Sequence, residues 1–170
     1  RILLFQSFFN EKDVENIANV RPEISQPRMR FQQIKPNWLI TIGNQYQVTP
    51  LLKKIWHPDL LHSEIVDCNK YLGDAIIQKH NISDIEAIQA IIYYQNAGMY
   101  DYAGEIYVKM IFSTPHLPKH SLVNILWMGV SLPIQMRAEL RFIIRAGQIL
   151  RFKDLNAENA EYLYKDIQTI

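Results

Sequence analysis

Three arginines, five histidines and one cysteine are the side chains of this chain best suited to chemistry or to holding a charged ligand. Arg137, Arg141 and Arg145 recur every four residues, so on a helix they form one basic ridge. Such a ridge suits phosphate contact, which adds affinity without reading sequence. It equally suits a solvated face, or pairing with nearby acids such as Glu139. His57 and His62 are interrupted by Pro58 and share no helical face, while His116 and His120 flank a proline turn with no carboxylate at ligand spacing. There is no His-Glu-x-x-His and no glycine-rich phosphate loop. The lone Cys68 excludes a disulfide framework and a multi-cysteine zinc site, and fits a reducing compartment. It lies among apolar neighbours, where a thiol packs rather than reacts. The expectation is no enzyme, no metal and no cofactor.

The elements that would position these residues are helical by pattern. With 170 residues, 48% of them apolar, the chain can bury a full core. Charge is nearly balanced, 18 basic against 17 acidic residues, so any nucleic-acid surface must be local. No apolar run approaches the roughly 18 residues of a membrane span. The chain opens at Arg1 and not at a methionine, as expected of a piece of a longer protein, so missing targeting signals carry no weight. Asn-Gly and Asp-Gly hairpin turns are absent and glycine is scarce, at six residues.

Residues 1–49 read as an irregular helical region. LLFQSFF and EKDVENIANV are expected helices, RMRFQQI is a shorter one before Pro36, and NWLITIG, despite its β-branched content, is expected to be helical for want of a partner strand. From Pro50 the punctuation becomes regular. Helices are expected at LLKKIW, over 63–79, over 85–95 behind a Ser83–Glu86 capping box, over 102–112 behind Asp101, over 121–131, over 133–150, and from about Asp154. Gly98 is placed to end the third of these in a left-handed cap.

Helix pairs joined by short turns call for a search for a fixed period. Ala103 and Ala138 are small residues 35 apart, and Tyr107 and Phe142 are aromatics 35 apart. The small residue would allow close helix approach, and the aromatic one turn later would fill the groove. The period divides residues 50–170 into approximate repeats 50–84, 85–119 and 120–154, with another starting at 155. Neither helix pair can bury its inner face alone, so pairs would stack.

Ala97–Gly98, Asp101, Ala103, Ile106, Tyr107 and Met110 resemble the pentatricopeptide signature. The resemblance covers residues 85–119 well and 120–154 in part, where Leu132–Pro133 replaces the Ala-Gly turn and Arg145 the Met. Tyr94, Gly98, Tyr100, Ala103, Tyr107 and Pro115 also satisfy much of the tetratricopeptide pattern. Either resemblance implies an all-α, right-handed solenoid of antiparallel helix-turn-helix repeats.

The pentatricopeptide resemblance further implies binding of single-stranded RNA, one base per repeat, in organellar and most often mitochondrial transcript stability, processing or translation. Its base-reading positions fall on Asn124 and Asp154, a pair similar to those that favour uracil, and in the preceding repeat on Gln89 and Lys119. Asp154 is equally placed to cap the last helix. Ser121, at the start of the same first helix, with Arg137 and Arg141 completes the expected RNA-binding set. The tetratricopeptide resemblance implies a scaffold whose groove holds a peptide or a subunit of a larger assembly. A continuous basic track on the first helices would favour RNA, and its absence the scaffold.

Overall fold

The computed structural model describes residues 1–55, 59–113, 130–152 and 157–170. Their contacts divide the chain into two compact units, Arg1–Leu72 and Gly73–Ile170. Among the described residues the fold is mostly helical, with eight α-helices and two short strands.

In the first unit, α1 (Glu11–Ala18) starts at Asn10, whose side chain accepts from the Asp13 amide at 3.0 Å while Asp13 accepts from the Asn10 amide at 2.8 Å. Helix α2 (Pro27–Trp38) begins on Pro27 and runs through Pro36. The expected end of RMRFQQI at Ile34, before Pro36, is therefore four residues early. The proline removes its own ladder bond, and the helix closes just beyond it with the Leu39 N–H on the Lys35 carbonyl.

The hairpin is the main departure from an all-helical chain. NWLITIG is not helical after Trp38: β1 (Leu39–Ile42) pairs antiparallel with β2 (Gln45–Val48), Leu39 opposite Val48 and Ile42 opposite Gln45. Gly43 turns the chain at φ +59°, a conformation that glycine adopts without penalty. On its other side β2 bonds the N-terminal segment, Tyr46 N–H to Phe9 O at 2.7 Å and Phe9 N–H to Tyr46 O at 2.9 Å. LLFQSFF is thus not helical beyond a single 3-10 turn at Ile2–Leu4. Phe5 stacks on Phe9 at 4.4 Å, and Phe31 meets Tyr46 edge-on at 5.1 Å. The packing of Phe9 and Phe31 on Tyr46, distant in sequence, outweighs the local helical pattern.

Arg1 ties this unit together from inside. Its Nη1 donates to the carbonyls of Ile17 and Val20, both at 2.8 Å, and of Ala18 at 3.2 Å, so it satisfies the C-terminal end of α1. Its Nε donates to Glu64 at 2.6 Å. Glu64 lies in α4 (His62–Ile77), which follows the short α3 (Pro50–Ile55).

The second unit is built from helices. Helix α5 (Asp84–Asn96) has the predicted capping box, with Ser83 N–H donating to Glu86 at 3.0 Å. Gly98 ends it at φ +72°, as its sequence position implies. Helix α6 (Tyr100–Ser113) includes Asp101 in its first turn rather than being capped by it. The Asp101 carboxylate instead accepts the Arg137 backbone amide at 2.7 Å, just ahead of α7 (Ala138–Phe152). That helix starts five residues later than the pattern places it, after a turn in which Met136 N–H bonds Pro133 O at 2.9 Å. The last helix, α8 (Ala157–Ile167), packs on α7.

Helices α6 and α7 lie side by side in parallel. Asp101 meets Arg137, 36 positions on. Gly104 faces Met136 and Leu140, and Gly147 faces Ile111 and Phe112. Within α6 the small–aromatic pair packs as expected, for Ala103 and Tyr107 are buried completely. In α7 it does not. Ala138 and Phe142 are exposed, because α7 turns Leu140, Ile144 and Gln148 inward instead.

Candidate interaction surface

The residues singled out for RNA contact fall into three groups. Asn124, Asp154, Lys119 and Ser121 lie outside the described residues. Gln89 is half-buried on α5, whose accessible stripe is Ile85, Gln89, Ile92 and Asn96. Asp84 and Glu86 in its first turn are as accessible as Gln89, and α5 contains no lysine or arginine anywhere along its length.

The three arginines do not form one ridge. Arg137 is exposed but pairs with Asp101 at 3.1 Å and Glu105 at 3.0 Å, both on α6. Arg145 points inward. Its Nε donates to Asp166 of α8 at 2.5 Å and its Nη1 to the Gln148 side-chain oxygen at 2.7 Å; Gln148 in turn donates to the Tyr107 hydroxyl at 2.7 Å. This chain of polar groups links α6, α7 and α8, and it occupies the place where the resemblance puts a Met. Arg141, between the other two, is half-buried, and its Nε is the one buried side-chain polar atom without a hydrogen-bond partner among the described residues.

Helix α7 carries a second apolar face besides the one it buries. Phe142 is 51% exposed, Ile143 40% and Leu150 67%, and the half-buried Ala146 and Ile149 connect them. The five residues follow the spacing of an amphipathic helix and run for about 12 Å at 1.5 Å per residue. The signal is present in the sequence. It is obscured there because the 35-residue match assigns Phe142 to the interior.

Cys68 is fully buried, and burial pushes its thiol up, which leaves it the unreactive thiol its position implies. A cavity of about 210 Å³ in the first unit, walled by Arg1, Ile2, Leu3, Ile34, Trp38 and Leu52, is smaller than ordinary small-molecule pockets; a second, of about 430 Å³, lies between α1 and the start of α2 against Glu15, Asn19, Gln26, Pro27, Arg28 and Met29. Among the described residues no cluster of three or more His, Cys, Asp or Glu is arranged to hold a metal ion, and no helix is long and apolar enough to cross a membrane.

No family model, curated protein or solved structure matches this chain.

Proposed function

We propose that the second unit is a protein-binding helical module, one section of a solenoid of stacked helix pairs, and that α7 receives an apolar helix of a partner. The observation that carries this is the stripe Phe142, Ile143, Ala146, Ile149 and Leu150, left exposed or half-exposed among the described residues, whose spacing is that of a helix-in-groove contact. The parallel course of α6 and α7, with Asp101 beside Arg137, Gly104 beside Leu140 and Ile111 beside Gly147, each 36 positions on, supports stacking of helix pairs. The accessible side of α5, with Asp84 and Glu86 and no lysine or arginine, supports a protein partner over a phosphate backbone.

RNA binding is the second reading, and Arg141 is the observation in its favour. A half-buried guanidinium whose Nε has no partner among the described residues is suited to a phosphate oxygen. The mitochondrial setting and the base-reading roles of Asn124 and Asp154 go with this reading.

Fluorescence anisotropy of the whole chain with poly-U, poly-A and mixed single-stranded RNA, at low and near-physiological salt, separates the two. A protein-binding module gives weak signals, equal for all three and lost with salt, because only phosphate attraction operates. Selective binding that survives salt and falls on Arg141→Ala overturns the proposal in favour of RNA.

A further inference from the structure

The outer edge of β1 is an open strand edge. Tyr46 spends both its backbone groups on Phe9, so the pair it forms with Thr41 across the hairpin is a non-hydrogen-bonded one. The Thr41 N–H and C=O therefore point away from β2. Among the described residues no strand lies on that side and no hydrogen bond engages either group. Ile40, Thr41 and Ile42 are all exposed, with Ile40 and Ile42 on one face at 40% and 57% exposure.

Strand edges of this kind are ordinarily blunted by lysine, proline, a bulge or a covering element. None of the first three occurs in Leu39–Ile42, and no charged residue occurs from Pro36 to Leu52. What the edge can recognise is another extended backbone.

We infer that β1 pairs antiparallel with β1 of a second copy of this chain, with Thr41 on the two-fold axis. A two-fold contact must be self-complementary, and Ile40–Thr41–Ile42 is a palindrome. Thr41 N–H and C=O then exchange bonds with their own counterparts, and Ile40 stands opposite the partner's Ile42 on the outer face. Neither copy brings charge to the contact, so nothing repels. Two hairpins become one four-stranded sheet. Four residues a side cover far less than the ~1,600 Å² of a standard interface, which makes this a weak, concentration-dependent dimer.

The test is sedimentation equilibrium of the whole chain from about 1 µM to about 1 mM, the range of weak to moderate association, beside Thr41→Pro and Ile42→Lys. The Thr41 amide takes no part in the hairpin, so proline removes the outward donor and leaves the β1–β2 bonds in place. The unsubstituted chain moves toward twice the monomer mass across this range. Both variants stay at the monomer mass, with an unchanged circular-dichroism spectrum and melting temperature. Hydrogen exchange at the Thr41 amide slows as the concentration of the unsubstituted chain rises. A chain that stays monomeric to 1 mM, variants that associate as strongly as the parent, or a Thr41 amide that exchanges freely at every concentration overturns the inference.

Discussion

At the scale of single residues, two ion pairs illustrate how burial sets what a contact is worth. Arg1 and Glu64 have side chains 3% and 11% exposed, and Arg1 also satisfies three carbonyls at the end of α1. Glu64→Ala leaves that guanidinium buried with its charge uncompensated, and should cost about 3–5 kcal/mol in a urea melt. Glu64→Gln, which keeps one acceptor, should cost less. The Lys79–Glu86 pair at 2.5 Å is far more exposed. Lys79, and then the Ser83 amide, hold the Glu86 carboxylate at about 2, well below its ordinary 4.5. A depressed carboxylate contributes stability that is fully present above pH 4.5 and is lost as the pH falls toward 2. Water screens the pair, so its contribution is about 1 kcal/mol, similar to that of the cap itself. Acid titration of the melting temperature should show this loss over that window, and Glu86→Gln should remove it.

At the scale of elements, two glycines mark where helices approach closely, and their neighbours differ. A Cβ on Gly73 of α4 would lie 2.9 Å from the Tyr94 ring. That ring is held at one end by its hydrogen bond to Asp74 at 2.7 Å and by a perpendicular ring contact with Tyr102 at 4.7 Å. Gly73→Ala should therefore destabilise by about 1–3 kcal/mol through overpacking. A Cβ on Gly104 would meet the Met136 sulfur at 2.9 Å, the end of a side chain that can move aside. The higher helix propensity of alanine, about 1 kcal/mol, offsets the crowding there, and Gly104→Ala should melt within a few degrees of the parent. Elements whose ends are fixed locally are legible in the sequence: Ser83, Glu86 and Gly98 delimit α5 as their side chains and φ values require. The hairpin is not, because it is fixed by Phe9 and Tyr46 across a long stretch of chain. A signal was nevertheless present, since Gly43–Asn44 between two apolar runs is itself a two-residue hairpin turn. The Asp101 interaction with Arg137 also escapes sequence reading, because an acid at a helix start resembles a cap whichever helix it serves.

At the scale of the whole molecule, the sequence makes the helical composition and the 35-residue spacing visible, but not which faces are left open. Periodicity marks the apolar positions of α7 and cannot say which of its two apolar faces is buried. Arg145 turns inward because Asp166, Gln148 and Tyr107 receive it, and only the packing of three helices brings those groups together. The surface this leaves uncovered is the basis of the proposed function. A photo-cross-linking side chain placed at Phe142 of the chain expressed in cells tests it most directly. The expected result is one discrete protein adduct on a different chain, insensitive to ribonuclease and lost when Leu150→Glu is added on the same stripe. An adduct that ribonuclease removes, or one formed only within the chain itself, would contradict it.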